Sequence, residues 1–418
     1  MSWVLIILCL ITQTPFAREA PGEVLTLGEA ERLSLEDEPG MARFNASAEA
    51  LAQRATADAQ LPDPKFRFGL MNFPTDTFNR TQEPMTQVQL GIQQAFPRGD
   101  SLAVKARRTE VLSGAQRELA TDRGLKILQE LRLSWLELYY WLGAQLIIEQ
   151  NRGLFTQLVQ VTQHQYAVGK HNQQDVIRAQ LELSLLDDRL EKIGIRQEQS
   201  RAELGRWLGA DHGRRPLPEQ FPRLPELADR GSLEAALIEH PLIRADRSKV
   251  IAGQQAVALA REAYKPGWAL GVNYGFRGGE TPNGRERADF LSASVTVDLP
   301  IFRDKRQDRS LAASQYELEA MRFARDERLR ELRQKLDSHY AQWWRLGERA
   351  ALYANTLQTQ AQENAQASLL AYQNDNADFA ALTRARITEL DTQLKALRIR
   401  VDRAKAQARL LYLAGDVQ

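Results

Sequence analysis

The chain states one order of parts twice, about 200 residues apart: a short helix ending at proline, two alternating strands, a very long helix, a tight turn and a second helix. Glu38-Pro39 is answered by His240-Pro241, Pro62 by Pro266, Phe96-Pro97 by Leu299-Pro300, Tyr166 by Tyr372, and Trp207-Leu208-Gly209 by Leu413-Ala414-Gly415. The offset drifts only from 202 to 206 across these anchors, so short insertions account for it. A duplicated unit buries one face against its own copy, which makes the repeat the framework for everything else. It divides the sequence into a first repeat over 21–211, an irregular connector over 212–231 with Pro216, Pro218, Pro222 and Pro225, and a second repeat over 232–418.

Charge and hydropathy exclude two broad classes. Lys plus Arg number 55 and Asp plus Glu 54, so there is no basic surplus to draw the chain to nucleic acid. Mean hydropathy is −0.44, and past the N-terminus no run of about 20 apolar residues exists, which excludes a bundle of membrane-spanning helices. A β-barrel survives that test, because its apolar residues are spread over every second position. The N-terminal run Trp3 to Ile11, followed by small residues at Ala17 and Ala20, predicts a cleaved export signal over residues 1–20, although no Lys or Arg precedes it. Cys9 is the only cysteine and lies inside that run, so a mature chain would have no thiol chemistry.

Four stretches alternate with period two, which a strand resolves onto opposite faces. Strands are expected at about 66–73, 86–97, 268–277 and 289–301. Phe66, Phe68 and Leu70 alternate with Arg67 and Gly69; Val88, Leu90 and Ile92 with Gln87, Gln89, Gly91 and Gln93. In the second copy Trp268, Leu270, Val272, Tyr274 and Phe276 alternate with Ala269, Gly271, Asn273 and Gly275, and Leu291, Ala293, Val295, Val297 and Leu299 with Ser292, Ser294, Thr296 and Asp298. Each run is near the length that crosses a bilayer as a tilted strand. Four strands cannot close a barrel, and an open edge in lipid leaves backbone groups unpaired at several kcal/mol each, so several chains must pool their strands. A soluble sheet with one covered face explains the alternation equally well but finds too few partners in the chain.

Between the strands and the repeat ends run proline-free helical patterns. Long helices are expected over about 100–165 and 305–371, the first roughly 90 Å in length. Return helices over about 173–209 and 378–414 make each copy an antiparallel hairpin of coiled-coil character. Shorter alanine-rich helices over 42–60 and 242–264 follow Pro39 and Pro241, near the position where a helix tolerates proline best.

Several segments in this order resemble a known family: Glu-His-Pro-Leu-Ile-Arg-Ala at 239–245, Ala-Arg-Glu-Ala-Tyr-Lys-Pro at 260–266, Val-Thr-Val-Asp-Leu-Pro-Ile-Phe at 295–302, and Tyr-Ala-Val-Gly-Lys at 166–170 followed by Asp175-Val176. With the duplication, they make the whole of 21–418 resemble the TolC-like outer-membrane efflux proteins of Gram-negative bacteria. The resemblance implies a mixed α and β membrane protein. It implies a homotrimer in outer-membrane lipid, each protomer giving four strands to a twelve-stranded barrel and its helices to a long periplasmic tunnel. Gln-Leu-Gly-Ile-Gln-Gln-Ala-Phe-Pro-Arg-Gly at 89–99 looks more like the heavy-metal branch, similar to CusC and CzcC. The implied partners are a periplasmic adaptor and an inner-membrane resistance-nodulation-division (RND) pump, with the channel a passive exit duct for heavy-metal cations. A drug or type I secretion duct, or a periplasmic coiled-coil tether, is the alternative.

Candidate functional residues sit at the two hairpin turns, expected to form the periplasmic entrance and adaptor contact: Tyr166, Gly169, Asp175 and Arg178 at the first, Tyr372, Asp375, Asp378 and Arg384 at the second. Three copies of an acidic turn around one axis would attract cations, although Asp375 and Asp378 are equally suited to cap the helix that follows. The family prototype carries two aspartates in the second return helix; the matching positions here are Ala381 and Arg384, so that electrostatic gate does not carry over. Asp175 takes the equivalent place in the first copy and, with Arg178, suggests a different ion-pair latch. His164 and His171 are seven apart, which is not a metal-ligand spacing, and Met71 with Met85 makes no soft-metal site. No phosphate-binding glycine loop and no nucleophile–base set is present, so neither an enzyme nor a cofactor is expected.

Overall fold

The computed structural model describes residues 24–36, 38–170, 172–374 and 376–415. The expected signal segment, Cys9, His171 and Asp375 lie outside the described residues. In chain order the elements are α1 (Leu27–Leu35), α2 (Pro39–Asp58), β1 (Lys65–Met71), β2 (Gln87–Phe96), α3 (Ser101–Ala167), α4 (Gln173–Leu208) and the short α5 (Ala210–Gly213). There follow α6 (Arg230–Ala236), a 3-10 turn (Leu237–Glu239), α7 (Pro241–Glu262), β3 (Trp268–Arg277), β4 (Phe290–Val297), α8 (Gln307–Leu352), a π turn (Tyr353–Leu357), α9 (Gln358–Gln373) and α10 (Phe379–Ala414).

The sequence anchors prove to be helix punctuation. In α2 and α7 proline occupies the first turn and the residue before it supplies the cap: Glu38 Oε2 accepts from Met41 N–H at 2.7 Å, and His240 Nδ1 accepts from Leu242 N–H at 3.3 Å. At the far end of each repeat, Gly209 and Gly415 adopt φ of +81° and +72°, left-handed values that stop α4 and α10 and that a side chain would strain. From Ser101/Gln307 through Ala167/Gln373 and Gln173/Phe379 to Leu208/Ala414, corresponding boundaries keep one constant displacement. The helical hairpins of the two copies therefore match residue for residue. The second long helix runs without a break from Gln307 to Gln373, but its winding widens into a π turn at Tyr353–Leu357, an irregularity with no counterpart in α3.

The strands form one antiparallel sheet in the order β1-β2-β3-β4. Its middle pair joins the copies: β2 lies against β3 from Gln87↔Arg277 to Phe96↔Trp268. Pro97, which offers no N–H, follows β2 directly; β4 stops at Val297 rather than near residue 301, with the Asp298 N–H still donating to the Gly267 carbonyl at 2.8 Å.

Compactness does not follow the repeat. One unit holds α1, Leu128–Pro225 and Trp343–Ala408; the other holds α2, the sheet, α3 up to Ile127, Glu226–Gln342 and the end of α10 from Arg409. In the first unit a core of Leu131, Trp135, Leu136, Leu138, Leu204 and Val401 is covered in part by Leu217, Phe221 and Leu224 of the connector. The connector is thus packed down rather than loose, and Tyr139 O–H donates to its Glu219 carbonyl at 2.8 Å. A second core in the same unit, nearer the hairpin turns, gathers Ile148, Phe155, Leu158, Leu186, Tyr372, Phe379 and Leu382.

Candidate functional site

The sheet separates its two faces with few exceptions: Gln94 falls on the apolar face, and Met71 and Phe290 on the polar one. Register places Phe66, Ile92, Val272 and Ala293 in one row, Phe68, Leu90, Tyr274 and Leu291 in the next, and Leu70, Val88 and Phe276 beyond. Phe96, Trp268 and Val297 close the other end, with the Phe96 and Trp268 rings stacked at 4.0 Å. Directly paired residues of an antiparallel sheet point to the same side, so all these apolar side chains share one face. Within the chain nothing covers it: Phe66 is 70% and Leu291 73% exposed, and Val272, on a central strand, is 45% exposed. An apolar surface of this extent marks a lipid or protein contact. The outer edges of β1 and β4 carry no partner strand in the sheet, and in lipid such edges must be closed.

The opposite face is polar and fine-grained. It carries Lys65 and Arg67 from β1, Gln87, Gln89 and Gln93 from β2, Asn273 and Arg277 from β3, and Ser292, Ser294 and Thr296 from β4. Its glycines make room for neighbours across the strands: a Cβ at Gly91 would run into Asn273 Oδ1, and one at Gly275 into Gln87 Oε1. A face built of amides, hydroxyls, cations and glycine meets water rather than a packed core.

At the hairpin turns the sequence candidates divide. α3 ends in a left-handed cap, with Gly169 at φ +74°, its N–H on the Tyr166 carbonyl at 3.0 Å and Lys170 N–H on the Gln165 carbonyl at 2.9 Å. Tyr166 is exposed, Asp175 stands half-buried in the first turn of α4, and Arg178 is half-buried one turn further on. Tyr372 behaves differently. It is fully buried, packs edge-on against Phe379 at 5.7 Å and donates its hydroxyl to Gln165 Oε1 at 2.8 Å. As an entrance-facing contact it is corrected to a residue that ties the end of α9 to the end of α3. Asp378 is the cap of α10, its Oδ1 accepting from Ala381 N–H at 2.7 Å, and it stays exposed while doing so. Arg384 is exposed on the following turn.

Two polar clusters lie outside the candidate site residues, although His240 of the second belongs to the 239–245 segment. Between α3 and α10, Glu137 accepts from Arg398 at 3.0 Å and from Lys405, and Arg398 in turn reaches Asp402 at 3.0 Å. Burial would raise the Glu137 carboxyl, but the two cations overcome that and hold it below its ordinary value. In the other unit His240, buried completely, faces the Tyr412 carbonyl through Nε2 at 3.2 Å, while Tyr412 O–H donates to Asp122 Oδ1 at 2.8 Å. Burial depresses the His240 ring below its usual pKa, so it caps α7 as a neutral acceptor. Among the described residues no group of three or more His, Cys, Asp or Glu side chains is arranged to hold a metal ion, and no helix is long and apolar enough to cross a membrane.

No protein-family model matches the chain, and no curated protein sequence does. Solved structures do. The outer-membrane channel OprN aligns over 93% of this chain and 89% of its own with a TM-score of 0.77 at 17% identity. The outer membrane protein VceC from Vibrio cholerae aligns over 93% and 96% with a TM-score of 0.77 at 15% identity. CusC, a protein that forms a transmembrane channel, aligns over 92% and 92% with a TM-score of 0.75 at 14% identity. The chain therefore has the fold of these outer-membrane channel proteins.

Proposed function

We propose that this protein is the outer-membrane exit duct of a tripartite efflux system. Three copies join β4 of one sheet to β1 of the next, closing a twelve-stranded barrel in the outer membrane, and their hairpins continue as a periplasmic tunnel. One observation carries this: a sheet with one largely apolar, uncovered face, one largely polar face and two open edges, in a chain whose fold is that of outer-membrane channels. Strand pooling satisfies edges and apolar face together. The duct is passive, and a periplasmic adaptor and an inner-membrane RND pump supply the cargo and the energy.

The hairpin turns form the periplasmic entrance and adaptor contact, with Tyr166, Gly169, Asp175, Arg178, Asp378 and Arg384, and Asp375 beside them in sequence. Within the family's range of cargo, the resemblance of residues 89–99 favours heavy-metal cations. OprN and VceC align as well as CusC does, with TM-scores of 0.77, 0.77 and 0.75, so that preference rests on the sequence alone.

The test is fractionation of the expressed full chain. An exit duct is extracted from outer membranes only by detergent and runs as a heat-modifiable trimer. Release by salt into buffer as a dispersed monomer would replace the duct with a soluble tether.

A further inference from the structure

The polar face of the sheet bears charge of one sign only. Over Lys65–Met71, Gln87–Phe96, Trp268–Arg277 and Phe290–Val297, the ionisable acids and bases are Lys65, Arg67 and Arg277; there is no Asp or Glu. All three lie on the polar face by register. Arg277, at the loop end, is locally balanced, since its N–H meets Asp289 Oδ1 at 2.8 Å while its guanidinium is held by the Pro84 and Ala288 carbonyls. Lys65 and Arg67, at the helix-proximal end of β1, are exposed, and neither forms an ion pair among the described residues. Their pairing partners are Gln93 and Gly91, neither of which carries a charge.

On the proposed trimer, β1 meets the β4 edge of the next copy. That strand offers Phe290, Ser292, Ser294 and Thr296 to the polar side and so brings no carboxylate. The acids that flank this end are Asp298, just past β4 and already 3.8 Å from Arg98, Glu262, held by Lys265 at 2.7 Å, and Asp63, which precedes β1. Each copy still contributes a net positive charge here, and repetition about the axis turns it into a cationic collar. Rings of Lys and Arg in a pore favour anions and repel cations.

We infer that Lys65 and Arg67 make the barrel lumen selective for anionic small solutes, so that cargo crosses the strand barrel as an anion or a neutral complex and not as a free metal cation. This rests on the duct reading for the polar face being the lumen, and it replaces the free heavy-metal cation favoured by residues 89–99 with an anionic or neutral form of the cargo.

A thiol reporter tests it without requiring the helical end to be open. With Cys9→Ser as background, Ser294→Cys places one thiol on the polar face, and its rates of modification by anionic and cationic methanethiosulfonates are compared in the detergent-extracted full-length protein. Each rate is normalised to that of a free thiol. The anionic reagent is expected to react faster by on the order of tenfold, and Lys65→Gln with Arg67→Gln to bring the ratio to about one. Equal rates before the glutamine changes, or faster cationic modification, would overturn the anionic collar while leaving the duct intact. A thiol shielded from both reagents but labelled by a lipid-soluble maleimide would place this face in lipid and overturn the duct geometry itself. Chloride-over-potassium selectivity in planar bilayers, reversed by Lys65→Glu with Arg67→Glu, gives an independent measure.

Discussion

Val272 offers the sharpest perturbation of the proposed barrel. It lies mid-strand on β3, in the row Phe66, Ile92, Val272, Ala293, with 45% of its surface uncovered. If this face meets hydrocarbon, Val272→Arg sets a guanidinium close to mid-membrane at about 2–4 kcal/mol per copy, or roughly 6–12 kcal/mol for three. Ser292→Arg introduces the same side chain on the neighbouring strand but on the polar face, where a surface change is worth within about 0.5 kcal/mol. Because about 1.4 kcal/mol corresponds to tenfold, Val272→Arg is expected to cut the assembled trimer by orders of magnitude, and Ser292→Arg to leave it near wild type. The assay is the ratio of trimer to monomer by size-exclusion chromatography after detergent extraction at matched expression. If Val272→Arg assembles normally, or Ser292→Arg is the worse of the two, the apolar face does not meet lipid.

Three further outcomes test the helical body. Glu137→Ala strands Lys405, whose side chain is 13% exposed, and is expected to cost about 3–5 kcal/mol, whereas Glu137→Leu with Lys405→Met recovers most of it; thermal melts of the helical circular dichroism measure both. His240, depressed in the folded state from 6.5, makes the unfolded chain the stronger proton binder. Stability it contributes is therefore present above pH 6.5 and declines as pH falls from there toward the depressed value; His240→Asn should flatten that slope in pH-resolved melts. Tyr372→Phe loses the Gln165 hydrogen bond at about 0.5–1.5 kcal/mol, while Tyr372→Ala opens the core at about 3–5 kcal/mol. Protease cleavage at residues 168–172 should rise far more in the alanine variant, and equal sensitivity of the two would contradict the buried placement of Tyr372.

The strands and the helices were legible because their periodicity is local. Alternation at Val88, Leu90 and Ile92 is enough to assign a face, and a proline-free run with apolar residues at threes and fours is enough to draw α3. The pairing of β2 with β3 was not legible, since nothing within either strand says which of the other strands it will meet. The π turn at Tyr353–Leu357 escaped for the same reason: no glycine or proline marks it. At the turns, Tyr166 and Tyr372 occupy matching places in the repeat, yet one is exposed and the other is core, because burial depends on the neighbouring hairpin. Glu137 left a readable trace, a lone carboxylate among Trp135, Leu136 and Leu138, but its partners lie more than 260 positions away in Arg398 and Lys405.

The seam between β2 and β3 also orders the making of the protein. Gln93 can find Gly271 only after the intervening helical hairpin and connector have been synthesised, and contacts so distant along the chain are slow to form. Each two-strand hairpin alone is marginal in water. The four-stranded apolar face therefore exists only once both halves of the chain have been made.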